Sequence, residues 1–208
     1  MDQLYWKKFY KEIGLYPKLP SQFSAFCINE LNEVYFLNKP KPIIFEIGCG
    51  DGRDAEYFAS FGYTVIAIDQ NLQAVKNKKQ TKNLVFEKID NFKTLEELIE
   101  NRRRSGNIVI YNRFFFHAIN EYEQNDLLQI LSFILRKGDI IMSEFRTDKD
   151  QDRTKVTPKH YRRYIKLKEF IVSVVSAGFE ILYSVEGLGM AKFRDDDAYV
   201  ARLIIQKK

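Results

Sequence analysis

The stretch Pro42-Ile-Ile-Phe-Glu-Ile-Gly-Cys-Gly-Asp-Gly-Arg-Asp54 constrains this chain more than any other. Residues 43–47 form an apolar run that reads as a short buried strand. Residues 48–52 are a glycine-rich turn, and residues 54–61 read as the helix that follows. A strand, a glycine turn and a helix in that order turn backbone N–H groups toward a ligand. A dinucleotide site wants three glycines as G-x-G-x-x-G, the third easing helix–strand contact beside a pyrophosphate. Gly48 and Gly50 fit that pattern, but Arg53 holds the third position and the extra glycine comes one place early, at Gly52.

Glu46 lies in the strand end, two residues before the first glycine. A carboxylate there repels a diphosphate and attracts a ligand with an ammonium group or a positive sulfur. S-adenosylmethionine carries both, together with a carboxylate that Arg53 or the turn amides can hold. A second acid, Asp69, ends the next strand (64–68), about 20 residues beyond the turn, where a ribose-binding carboxylate belongs. A third, Asp90, follows the strand near 84–87 and is placed to reach an adenine amino group. Gln70, Asn91 and Tyr111 sit beside these strand ends and complete the expected cofactor set. Any one of these acids taken singly can also be a helix N-cap or a solvated turn residue.

The run Phe45-Glu-Ile-Gly-Cys-Gly-Asp-Gly-Arg53, followed by Ile66-Ala-Ile-Asp69, resembles motifs I and II of class I S-adenosylmethionine-dependent methyltransferases. The resemblance runs from about residue 43 to the C-terminus. It implies a Rossmann-like α/β fold with a seven-stranded sheet, whose last two strands close antiparallel. Alternation along the chain agrees, with strands expected near 43–47, 64–68, 84–87, 107–112 and 138–145. Helices are expected near 53–61, 71–79, 94–103, 121–135 and 161–177, then strands over 179–186 and 199–206.

Residues 1–38 form an expected N-terminal helical lid, and residues 39–208 the S-adenosylmethionine-binding domain. Apolar spacing predicts one helix over 4–13, stopped by Gly14 and Pro17, and a second beginning at Ser21 as N-cap. Ser21, Gln22 and Phe23 resemble a lid segment that contacts cofactor in related methyltransferases. Residues 38–42, punctuated by two prolines, read as the linker into the first strand.

In a sheet of this kind ligands bind beyond the carboxyl ends of the strands. After the fourth strand comes Tyr111-Asn-Arg-Phe-Phe-Phe-His-Ala-Ile119, and after the fifth Ser143-Glu-Phe-Arg146. His160-Tyr-Arg-Arg-Tyr164 follows a charged loop. Arg113 and His117 are four apart and share a face if the turn is helical. His117 is the expected base if the acceptor is a neutral hydroxyl, with Arg113 and Tyr111 beside it. Arg113, Glu144, Arg146, His160, Arg162 and Arg163 are the expected substrate-binding residues, the arginines converging on a phosphate or carboxylate. Ion pairing of these arginines with Glu144, Asp148 and Asp152 is the alternative. The three segments resemble a subgroup of small bacterial methyltransferases associated with surface-polysaccharide assembly. No metal triad is evident, so chemistry without a metal is expected.

The 208 residues suit one domain, and 33 Lys and Arg against 28 acids leave a net charge of +5. That mild excess permits a small anionic or carbohydrate acceptor and makes a nucleic-acid partner unexpected. An RNA or protein methyltransferase of the same fold is the competing reading. Two cysteines are too few for a disulfide scaffold. Residues 1–8 carry charge where a secretory signal needs an apolar core, and no apolar stretch is long enough to span a bilayer, so a cytoplasmic protein is expected. Oligomeric state is not written in the sequence.

Overall fold

The computed structural model describes residues 5, 8, 19–35, 40–76, 78–103, 106–156 and 160–208. Tyr5 and Lys8 are helical. The rest of the helix expected over 4–13, its stop at Gly14 and Pro17, and the first residues of the 38–42 linker lie outside the described residues. The chain folds as two compact units, one ending at Tyr111 and one beginning at Asn112.

The first unit contains α1 (Gln22–Tyr35), β1 (Ile43–Ile47), α2 (Arg53–Ser60), β2 (Thr64–Asp69), β3 (Leu84–Lys88), α3 (Lys93–Arg102) and most of β4 (Ile108–Arg113). Ser21 caps α1 as the sequence predicts: its Oγ accepts the Ser24 N–H at 3.0 Å. β1 runs parallel to β2 and to β4, and β2 parallel to β3. The apolar strand runs explain this arrangement, because a strand covered on both faces needs no polar alternation. Ile44, Phe45 and Ile47 of β1 and Val65 to Ile68 of β2 are all buried. The helix expected over 71–79 is only a 3-10 turn, Leu72–Val75, closed when the Gln73 N–H donates to Asn71 Oδ1. Few apolar residues punctuate that lysine-rich stretch, so no continuous buried face exists to hold a longer helix.

The second unit contains α4 (Glu121–Ile134), β5 (Ile140–Arg146), α5 (Leu167–Ser176), β6 (Phe179–Gly187), the short pair β7 (Lys192–Phe193) and β8 (Asp196–Asp197), and β9 (Val200–Lys207). α4 starts with a capping box in which Asn120 Oδ1 accepts the Glu123 N–H and Glu123 Oε2 accepts the Asn120 N–H. β9 is antiparallel to both β5 and β6. Phe145 of β5 packs with Phe116 and Phe170, the last two with ring centroids 4.9 Å apart. Each such ring taken from water contributes about 1.5–3 kcal/mol. β6 carries a register shift between Ile181 and Tyr183.

The seven strands hydrogen-bond in the order β3-β2-β1-β4-β5-β9-β6. This is the mixed α/β, seven-stranded arrangement expected from the sequence, including the antiparallel close. The helix expected over 161–177 begins only at Leu167. Upstream of it the Arg163 N–H donates to the His117 carbonyl, and Ile165 bridges Thr147. Those backbone groups are engaged by tertiary partners, so the helix cannot extend through them. Among the described residues no helix is long and apolar enough to cross a membrane.

Gly52 explains the displaced third glycine. Its φ is +70°, a left-handed conformation that side-chain-bearing residues rarely adopt. A Cβ placed there would lie 2.6 Å from the Phe86 ring. Gly52→Ala is therefore expected to destabilise the protein by about 2–4 kcal/mol through combined backbone strain and overpacking. Urea denaturation of the variant checks this, with Gly62→Ala, whose Cβ would come within 4 Å only of the Lys41 amine, as the milder control.

Candidate functional site

The glycine turn is held from within. The Gly48 and Cys49 N–H groups both donate to the Ile68 carbonyl, the Gly52 N–H donates to Cys49 O, and the Gly50 N–H donates to Asp69 Oδ2 at 2.9 Å. Asp69 Oδ1 accepts the Asn71 N–H at 2.9 Å. The Asp69 oxygens thus spend much of their acceptor capacity on backbone and keep the rest for a ligand. Burial raises the Asp69 pKa, opposed by the Asn71, Gly50 and Gln70 amides. Four of the turn amides are already engaged, so a ligand carboxylate at this place falls to Arg53, whose side chain is 30% exposed.

Glu46 is the anomaly of the first unit. It is 4% exposed, and its Oε2 has no hydrogen-bond partner among the described residues. Burial raises its pKa well above the usual range, and the nearby charges of Asp54, Asp51 and Asp69 add to this against Arg53. A buried carboxylate without a donor is costly. The position therefore suits a cationic ligand group, which would supply the missing partner. Burial also raises the Cys49 thiol well above its ordinary pKa, so that thiol stays protonated and unreactive.

Other expected cofactor residues fall in different surroundings. Asp90 is exposed and pairs with Lys88 at 2.6 Å. Asn91 Oδ1 accepts the Lys93 N–H at the start of α3, and Gln70 is half-buried. Tyr111 is fully buried, and its hydroxyl donates to Asp54 Oδ2 at 2.8 Å. Asp54 itself was legible only as a residue in the first turn of a helix. It is 4% exposed and accepts from Ser21, Ser24 and Tyr111.

In the second unit the expected substrate residues are gathered around His117. Arg113 does not share a helix with it, because Phe114 breaks the chain with φ 58° and a 3-10 turn, Phe116–Ala118, follows. Phe114 lies 5.1 Å from the His117 ring, with the Arg113 guanidinium 4.1 Å and that of Arg146 5.5 Å from its centroid. Arg113 donates to Glu144, which also accepts from Arg202, each at 2.8 Å. Arg146 is clamped by Asp150 at 2.6 Å and Asp196 at 2.7 Å, rather than by Asp148 or Asp152. Arg163 grips the carbonyls of Phe116 and Ile119 and the side chain of Gln124. Arg162 lies 3.3 Å from the His160 ring. Asp196 and Arg202 escaped sequence reasoning because they arrive from a hairpin and a strand some 50 residues downstream.

His117 is 3% exposed, and its Nδ1 accepts the Arg146 N–H at 3.1 Å. The neutral ring therefore carries its proton on Nε2 and presents a donor there. Burial holds its pKa well below the ordinary value, and the charges of Arg146, Arg162, His160 and Arg113 push the same way. Three guanidiniums, those of Arg113, Arg146 and Arg162, thus bear on one buried ring.

The family model described as tellurite resistance protein TehB matches residues 28–121, less than half of the chain. No curated protein sequence matches. Among solved structures, a SAM-dependent methyltransferase from Anabaena variabilis superposes with a TM-score of 0.71 at 19% identity, over 99% of this chain and 93% of that one. A SAM-dependent methyltransferase from Methanosarcina mazei gives 0.61 at 17% identity, covering 87% and 96%. The glycopeptide N-methyltransferase MtfA, complexed with S-adenosylhomocysteine, gives 0.66 at 10% identity, covering 94% and 95%. These likenesses show the fold, which is that of class I methyltransferases.

Two predictions follow from the buried titratable groups. Because the folded-state pKa of Glu46 is raised, the unfolded chain gives up that proton first as pH climbs, and stability is lost from the unfolded carboxylate value upward. Glu46→Gln should stabilise the ligand-free protein at neutral pH by about 1–3 kcal/mol, the scale of an unsatisfied buried group. The gain should vanish near pH 4, where both side chains are neutral, and melting curves across pH test it. His117 has the opposite sense: its folded pKa is lowered, so stability falls as pH drops below about 6.5, where the unfolded imidazole protonates. His117→Asn, whose Oδ1 can accept the Arg146 N–H, should flatten that acid limb.

Proposed function

We propose that this protein is an S-adenosylmethionine-dependent methyltransferase that methylates an oxygen of a small anionic acceptor. The observation that carries the reading is the Glu46 Oε2, buried with no partner among the described residues, beside a self-bonded glycine turn. A nucleotide diphosphate would add negative charge to Glu46, Asp51, Asp54 and Asp69. A sulfonium amino acid brings the opposite charge. The residues present suit S-adenosylmethionine: Glu46 for the ammonium, Arg53 for the carboxylate, and the remaining acceptor capacity of Asp69 for the ribose. Gln70, Asp90 and Asn91 border the same strand ends and are assigned to the nucleoside.

When bound, S-adenosylmethionine supplies an electrophilic methyl group, so the chain need not activate it. Its residues bind, orient and dehydrate the partners. Arg113, Arg146, His160, Arg162 and Arg163 give the second unit its cationic character, partly offset by Glu144, Asp150 and Asp196. An anionic oxygen favoured by that field arrives already nucleophilic and needs no base. This reading is preferred to general-base catalysis by His117, because the ring's one lone pair is engaged by the Arg146 N–H. His117 instead offers its Nε2 proton as a donor to the acceptor. An anionic sugar derivative, as in surface-polysaccharide assembly, meets these demands.

Calorimetry with S-adenosylhomocysteine tests the donor half. Glu46→Gln, which keeps the side chain's shape and removes its charge, should weaken binding at least tenfold. Asp69→Ala should weaken binding at least tenfold. Unchanged affinity would remove Asp69 from the ribose role, and no binding by the wild-type chain would refute the reading.

A further inference from the structure

Among the described residues of the first unit, Asp54 accepts from four donor groups of Ser21, Ser24 and Tyr111, and no expected role accounts for it. Its Oδ1 accepts the Ser21 N–H at 2.8 Å and the Ser24 hydroxyl at 3.1 Å. Its Oδ2 accepts the Ser21 hydroxyl at 2.7 Å and the Tyr111 hydroxyl at 2.8 Å. Arg53 Nε stands back at 3.9 Å. Ser21 and Ser24 are themselves buried, at 5% and 0% exposure. The N-terminal end of α1 therefore addresses a buried anion with its backbone, its cap hydroxyl and its dipole together.

Tyr111 carries the contact onward. Its ring stacks on Phe23 of α1 at 5.2 Å and meets Phe58 of α2 edge-on at 4.8 Å. In the ladder between β1 and β4 its partner is Glu46. Start of α1, Asp54, Tyr111 and Glu46 thus form one contiguous chain of contacts inside the first unit. The charges of Asp54 and Glu46 repel through this buried space. A cation bound to Glu46 offsets that repulsion at the carboxylate to which α1 is hydrogen-bonded.

We infer that Asp54 is a positioning residue that couples docking of α1 to occupation of Glu46 by a cationic ligand, an inference that rests on the methyl-donor reading above. Coupling is reciprocal: the ligand tightens α1, and a docked α1 tightens the ligand.

The test pairs calorimetry with amide hydrogen exchange, using S-adenosylhomocysteine as probe on wild type, Tyr111→Phe, Ser21→Ala and Asp54→Asn. Wild type should bind and show slower exchange across residues 22–31 on binding. Tyr111→Phe keeps the ring between Phe23 and Phe58 and loses only the hydroxyl. It should bind about fivefold to tenfold more weakly and lose most of the ligand-induced protection of α1, with Asp54→Asn losing more. Double substitution of Tyr111→Phe with Glu46→Gln should cost less than the sum of the two. A purely structural role would lower melting temperature while leaving the affinity and the ligand-induced protection intact, and that result in both Tyr111→Phe and Ser21→Ala overturns the inference. A wild-type chain that does not bind the probe overturns the methyl-donor reading and this inference with it.

Discussion

A carboxylate removed from water must find either a cation or a set of hydrogen-bond donors, and the first unit treats Asp54 and Glu46, both buried, in opposite ways. Asp54 is saturated by neutral donors from α1 and β4. Glu46, close enough for the Asp54 charge to raise its pKa, has an oxygen with none. The local fold supplies what Asp54 needs and withholds it from Glu46. The glycine turn follows the same division: its amides are consumed by Ile68, Cys49 and Asp69, which makes it a rigid frame rather than an anion cradle. This is what separates the site from a diphosphate-binding turn built on the same strand and helix.

The second unit solves a different electrostatic problem. Glu144 lies between Arg113 and Arg202, while Arg146 lies between Asp150 and Asp196. Buried pairs of this kind contribute little net stability once desolvation is counted. They do fix directions. Arg146 in turn presents its backbone N–H to His117 and so chooses the tautomer of that ring. Phe114, held at positive φ, sets its ring against both guanidiniums. Backbone strain of about 1–3 kcal/mol persists only where surroundings over-determine it, and here two arginines and a histidine do so.

Much of the fold was legible in the sequence because its strands are largely apolar runs that end in glycine or an acid. β1 and β2 fall where those runs fall, and α4 starts at a recognisable capping box. What was illegible depends on contacts between residues far apart in sequence. Residues 161–166 have helical spacing, yet the Arg163 N–H is claimed by His117 O. Residues 71–79 have helix-forming lysines but few apolar positions. At the site, Glu46 and Asp69 could be read because each has a fixed offset from the glycines. Asp54 could not, since an acid in the first helical turn has a sufficient local explanation in the helix dipole. The arginines were legible as residue types but not as partners: Asp196 and Arg202 lie 50 and 58 positions from the groups they bind.

The register shift in β6 bears on how copies of this chain meet one another. β6 is an outermost strand of the sheet, and such a border ordinarily offers a ready template for another polypeptide. Between Ile181 and Tyr183 the ladder loses step and Leu182 is left outside it, 54% exposed. An incoming strand would pair for a few residues, fall out of phase at the bulge and gain nothing further. The irregularity therefore acts as a guard against fibrous self-association at this border.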